Sequence, residues 1–199
     1  TNLLGTSHRQ KPVKSLVGDV RTGLASLFTL PEGYEVILGN GGATAFWDIA
    51  TFGLIQDRSQ HLSFGEFSSK FAAAANYAPH LAEPTVISSS PGEHPIAVAE
   101  TGIDVYAQTH NETSTGVMMQ IARPLGADYG SLVLVDGTSA AGGLAVNPVD
   151  FDCYYFSPQK GFGSDGGLWF ALMSPAALER VERIASSDRW IPASYDLKV

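Results

Sequence analysis

Residues 131–136 read Ser-Leu-Val-Leu-Val-Asp, a short unbroken apolar run closed by a carboxylate. A strand without polar alternation is buried on both faces, the pattern of a sheet covered by helices. Outward from it the same kind of segment recurs. Ile103–Gln108 (IDVYAQ) precedes it, and Phe151–Ser157 (FDCYYFS) and Gly167–Met173 (GLWFALM) follow. Tyr34–Leu38 (YEVIL), His61–Ser63 and Thr85–Ser88 read as shorter strands. Between the strands the spacing turns helical. Residues 12–28 place Val13, Leu16, Val17, Val20, Leu24 and Leu27 three to four apart. Further helices are predicted from about Thr44, over the small-residue run after Gly65-Glu66-Phe67, and over Pro175–Ala185. Strands alternating with helices predict an α/β domain with a mostly parallel, mixed sheet flanked by helices.

Composition narrows the function. A chain of 199 residues with 44% hydrophobic content can bury the core of one large domain. No apolar run approaches the roughly 20 residues that a bilayer crossing needs, and no charged-then-apolar leader is visible, so neither membrane span nor secretion signal is expected. Cys153 has no cysteine partner, which excludes an internal disulfide and argues for a reducing, cytoplasmic setting. A net charge of −8 without any basic run argues against nucleic-acid binding. His61, His80, His94 and His110 lack neighbours at metal-ligand spacing, so no metal is expected. The opening at Thr1 and the end just past a helix suggest part of a longer protein.

In sheets of this class ligands sit beyond the carboxyl ends of the strands. Gly39–Gly42, Thr113, Asp136 and Lys160 each follow a predicted strand, so they are expected to converge. Lys160 lies between a strand and four glycines, Gly161, Gly163, Gly166 and Gly167. It is either a solvated loop residue or an amine held near neutrality to attack a carbonyl. Strand, glycine turn and helix at Gly39–Thr44 would aim N–H groups at an anion, although a tight structural turn reads the same way. Asp136 could equally cap the turn that follows it, and Asn111-Glu112-Thr113 could be an ordinary turn. There is no G-x-S-x-G elbow, and the glycine spacing is not that of a dinucleotide fold. A carboxylate, a lysine and a phosphate-ready turn together are what pyridoxal phosphate requires: ring-nitrogen partner, Schiff-base amine and anion donors.

The motifs T-S-H-R (Thr6–Arg9), G-N-G-G-A-T-A-F (Gly39–Phe46), G-E-F (Gly65–Phe67), N-E-T-S-T-G (Asn111–Gly116), V-D-G-T-S (Val135–Ser139) and S-P-Q-K-G-F-G (Ser157–Gly163) span nearly the whole chain. In this order they resemble the class-V pyridoxal-phosphate aminotransferases of the aspartate-aminotransferase fold, in the phosphoserine-aminotransferase branch. The resemblance implies that residues 1–199 form most of the cofactor-binding large domain, with the extreme N-terminus and a small C-terminal domain lying outside it. It implies Lys160 as Schiff-base lysine and proton shuttle, and Asp136 as partner of the pyridinium nitrogen. Gly42 and Ala43 would give backbone N–H groups to the phosphate, with the Thr44 hydroxyl and Gln159 as further donors. Thr113 would bond the ring hydroxyl side, Phe67 would stack on the ring, and His8 and Arg9 would bind the anionic substrate. Many relatives have arginine where Ala43 stands and tryptophan where Phe67 stands. The implied reaction is transamination between glutamate and 3-phosphohydroxypyruvate in serine biosynthesis, extending to the analogous phosphorylated keto acid of pyridoxine biosynthesis, in a cytoplasmic homodimer with sites at the interface. Alanine–glyoxylate or serine–pyruvate aminotransferases, a cysteine desulfurase, and a non-catalytic domain keeping the fold are the alternatives; Cys153 is badly placed for the desulfurase.

Overall fold

The computed structural model describes residues 3–198. Helix α1 (Lys11–Leu27) has Pro12 in its first turn, where a missing N–H removes no intrahelical bond. Strand β1 (Glu35–Asn40) runs through Gly41 into helix α2 (Gly42–Gly53). There follow β2 (Ser59–Ser63), α3 (Glu66–Tyr77), β3 (Thr85–Ser88) and β4 (Val105–Thr109). A short hairpin, β5 (Asn111–Glu112) with β6 (Val117–Met118), precedes β7 (Leu132–Asp136), β8 (Cys153–Phe156), β9 (Leu168–Met173) and α4 (Pro175–Ala185). Seven strands form one sheet in the order β1-β9-β8-β7-β4-β2-β3.

The predicted mixed sheet is the one observed. Strands β3, β2, β4, β7 and β8 are parallel, while β9 runs antiparallel to both β8 and β1. The reason is the connection. Parallel neighbours need a crossover, usually helical, and the glycine-rich 157–167 segment forms none, so the chain returns beside itself. The register places Thr109 opposite Asp136 and Asp136 opposite Tyr155. Because β1 is also parallel to β8, its last residue Asn40 lies at the same edge, against Leu168.

Each face of the sheet is covered. Leu132 and Leu134 join Phe46, Trp47, Phe71, Tyr155 and Val181 on the α2, α3 and α4 side. Val133 and Val135 join Leu24, Phe28, Tyr106, Tyr154 and Phe156 on the other. Both faces of β7 are therefore dry, which accounts for its unbroken apolar run. Helix α1 departs from the expected face. Only Leu24 is buried within it, and Leu16, Val20 and Leu27 are exposed, because the core is met only by its last turn with Phe28 just beyond. The edge opposite the carboxyl ends is tied by Asp104, which accepts from the N–H groups of Gln56, Asp57 and Arg58 and pairs with the buried Arg180 at 2.9 Å. Among the described residues no helix is long and apolar enough to cross a membrane, and no metal-binding cluster of acidic, histidine or cysteine side chains is present.

His61 on β2 is buried against Phe71, with Ser59 Oγ 2.9 Å from its Nε2. Burial lowers its pKa from the ordinary 6.5 to about 3. The unfolded chain binds a proton below pH 6.5 that the folded chain refuses, so stability present above that pH is lost as the pH falls. We expect His61→Leu to remove up to about 1.4 kcal/mol per pH unit of this slope between pH 6.5 and 5. Urea unfolding across that range measures it, with His110, shifted in the same direction by burial, leaving a residual slope.

Candidate active site

Beyond the carboxyl ends of β1, β4, β7 and β8 lies a cavity of about 340 Å³. Gly42, Ala43, Thr44, Phe67, Thr113, Asp136, Gln159 and Lys160 line it together. The sequence reading named all eight. His8 and Arg9 are not among the lining residues and are exposed, so the structure does not bring them to the cavity. A larger open groove of about 720 Å³ beside the end of α1 has no ionisable side chain in its lining, and offers no side-chain acid or base.

Asp136 is the buried charge of the cavity, 6% exposed. Its Oδ1 accepts from the Thr138 N–H at 2.9 Å and its Oδ2 from Trp47 Nε1 at 3.4 Å. The first of these is the turn-capping role the sequence left open, so capping and facing the cavity are combined in one residue. Burial pushes its carboxyl above the usual range, with the Glu112 charge adding to the rise and the two donors only partly offsetting it. Among the described residues no cation pairs with it. A buried carboxylate short of positive charge is the state that a cationic ring nitrogen would relieve.

The opposite wall is the start of α2. Gly41 and Gly42 carry φ values of 117° and 76°, which a side chain would strain, and they turn β1 into the helix two residues earlier than the sequence suggested. The first N–H groups of a helix have no intrahelical acceptors and lie at its positive end. The Ala43 N–H, read as a phosphate donor, is engaged by Ser157 Oγ at 2.7 Å. That hydroxyl in turn donates to the Leu168 carbonyl at 3.0 Å. Gly42 and Thr44 border the cavity on either side of this contact.

Lys160 and Gln159 are exposed at the cavity mouth, immediately after β8 and buried Ser157-Pro158. The third wall joins Phe67, on the first turn of α3, to Thr113 in the β5–β6 hairpin. This hairpin was missed as a pair of strands, since two-residue strands carry no periodicity. Asn111 Nδ2 donates to Ser139 Oγ at 2.9 Å, and Ser139 Oγ donates to the Asn111 carbonyl at 2.8 Å. Of the lining residues that sequence reasoning passed over, Thr109 is the register partner of Asp136, and Ser139 and Ser157 sit inside motifs already quoted. For Ser139 and Ser157 the signal was proximity in sequence to Asp136 and Lys160; Thr109 is placed only by the strand register.

Ser157→Ala would leave the Ala43 N–H and the Leu168 carbonyl each short of a partner. We expect a loss of about 1–3 kcal/mol in denaturant unfolding without added ligand.

Comparison with known proteins bears on the fold and the family. Residues 2–187 match the family model described as Aminotransferase class-V. The chain is similar to a phosphoserine aminotransferase of a Nocardioides species, 66% identical over 99% of this chain and 53% of the relative. It is also 60% identical to a phosphoserine aminotransferase of Corynebacterium glutamicum, over 99% of this chain and 52% of that one. Thus the chain spans about half the length of the curated relatives it matches. Among solved structures, a phosphoserine aminotransferase from Cytophaga hutchinsonii superposes with a TM-score of 0.89 at 24% identity, over 99% of this chain and 56% of that one. A pyridoxal-phosphate-bound phosphoserine aminotransferase from Trichomonas vaginalis gives 0.81 at 19% identity, over 98% and 57%. At such identities these two establish the fold, that of aminotransferases. On the family match over most of its length, the chain belongs to the class-V aminotransferases.

Proposed function

We propose that this chain is the cofactor-binding large domain of an enzyme that uses pyridoxal phosphate to move an amino group between glutamate and 3-phosphohydroxypyruvate, giving O-phosphoserine and 2-oxoglutarate. The observation that carries the cofactor is the buried Asp136, without a cation partner among the described residues, in the same cavity as Lys160 and the first turn of α2. The names of the relatives carry the substrate pair. The two readings have different weight. The cofactor is supported by chemistry inside the chain, the substrate by likeness alone.

When bound, pyridoxal phosphate supplies an aldehyde that condenses with amines and a pyridinium ring that accepts the electron pair left at the substrate α-carbon. The chain's own residues would do the rest. Asp136 would hold the proton on the ring nitrogen, gaining the positive neighbour that it lacks. The positive end of α2, through Gly42, Ala43 and Thr44, would bind the phosphate, with Gln159 beside it and the Ala43 N–H exchanging Ser157 Oγ for the anion. Thr113 would bond the ring hydroxyl and Phe67 would cover a ring face, shielding the site from water. Lys160 would hold the cofactor through its aldehyde, and its amine Nζ, once free, would be the base that carries the substrate α-proton. For His8 and Arg9 the proposal is recognition of the substrate anion, made where the rest of the protein meets this exposed segment. Exposed Leu16, Val20 and Leu27 on α1 are consistent with such a neighbour, whether the small domain or a second subunit of a cytoplasmic homodimer.

The test is the visible spectrum of the full-length protein that contains this chain, with pyridoxal phosphate, then turnover with glutamate against phosphohydroxypyruvate, pyruvate and glyoxylate. Preference for pyruvate or glyoxylate would reassign the substrate. We expect Lys160→Ala to lose the protein-bound absorbance band and at least about a hundredfold in turnover. Asp136→Asn should bind pyridoxal phosphate about tenfold more weakly. Without the cofactor its thermal unfolding above pH 5 should occur no lower than in wild type. The carboxyl pKa is raised on folding, so ionising it opposes the folded state, and the amide removes that burden.

A further inference from the structure

Glu112 is wholly buried and does not line the cavity, yet every bond it accepts comes from a segment that does. Its Oε2 accepts from the Ser68 N–H and from Ser68 Oγ, both at 2.8 Å. Its Oε1 accepts from the Phe67 N–H at 3.4 Å, from Ser114 Oγ at 2.8 Å and from the Ser114 N–H at 3.2 Å. One oxygen atom therefore bridges the first turn of α3 and the β5–β6 hairpin. Ser114 Oγ also accepts from the Glu66 N–H at 2.8 Å, closing the contact from the hairpin side. We infer that Glu112 is a positioning residue, a latch that holds Phe67 and Thr113 in fixed relation across the cavity; the inference rests on the cofactor reading proposed above.

Gly65 supports the latch independently. Its backbone is extended, with φ of 175°, a conformation open to any residue. What excludes a side chain is the carboxylate. A Cβ there would stand 2.4 Å from Glu112 Cγ and 2.5 Å from both Glu112 Cδ and Ser114 Oγ. The glycine of G-E-F and the glutamate of N-E-T are thus two halves of one contact between residues forty-seven positions apart in sequence. Electrostatics agrees with the geometry. Burial raises the Glu112 carboxyl, but the donors from Ser68 and Ser114 outweigh it and hold the pKa below the usual value. A charge held by neutral donors alone loses its balance when any of them moves, so the two segments are constrained together. On its far side the hairpin is held to the turn after Asp136 by the Asn111–Ser139 pair. The Phe67 wall and the Asp136 wall are thereby connected through it.

The test uses the full-length protein that contains this chain, carrying Glu112→Gln or Gly65→Ala. The first removes one acceptor at constant size, and the second forces the carboxylate aside without altering it. Amide hydrogen exchange without cofactor should rise about tenfold or more at residues 66–69 and 113–116 in both variants. The apparent dissociation constant for pyridoxal phosphate, titrated by visible absorbance, should rise about tenfold. Glu66→Gln, at the exposed Glu66–Lys70 pair of the same helix, should change neither. If Glu112→Gln does not fold, Ser114→Ala, which removes one of the bridging donors, should show the same pair of effects at about threefold. Unchanged exchange would overturn the latch. Raised exchange with unaltered pyridoxal-phosphate binding would overturn its positioning role. A wild type that bound no pyridoxal phosphate would overturn the proposed function and this role together, whereas a normal wild type beside an unaltered Glu112→Gln overturns the role alone.

Discussion

A carboxylate closing a fully buried strand is the constraint from which the rest of this structure follows. Asp136 is carried below the surface by β7, whose two faces are packed, and its neighbours supply only an N–H and an indole. Water is largely excluded and no described cation replaces it. Such a group is costly to keep ionised in isolation. Around it the cavity gathers a helix start, the aromatic ring of Phe67, and the amine of Lys160 at the mouth. The opposite edge of the sheet handles its buried charges differently, pairing Asp104 directly with Arg180. One edge is electrostatically complete within the chain and the other is not.

The sheet was legible because burial on both faces leaves a mark in sequence. The apolar runs at 131–136 and 151–157 could not belong to a half-exposed surface, and they became β7 and β8. Convergence of the site followed from that one inference, since parallel strands gather the residues after their carboxyl ends. What could not be read was anything set by contact at a distance. Ser157 claims the Ala43 N–H across 114 positions, and no local pattern announces which donor of a helix start is already taken. Helix α1 shows the converse. Its amphipathic spacing was correctly read as helical, but spacing says nothing of what lies opposite, and most of that face meets no core within the described residues.

The β5–β6 hairpin falls between these cases. Its composition marks it as a turn, its strands are too short to have a period, and yet it connects two walls of the cavity through Glu112 and Asn111. A motif that carries one residue facing a ligand and another facing away can be mistaken for a single contact with a decorated flank. In N-E-T the buried Glu112 is bonded to both segments while Thr113 lines the cavity.

The hydroxyl of Ser157 joins three things that would otherwise move separately: the first turn of α2, the end of β8 from which Lys160 departs, and the beginning of β9. It works as a rivet through three plates. An anion drawing the α2 turn toward itself would pull on the same atom that fixes the root of the lysine loop. The start of α2 and the root of the Lys160 loop therefore share a mechanical frame.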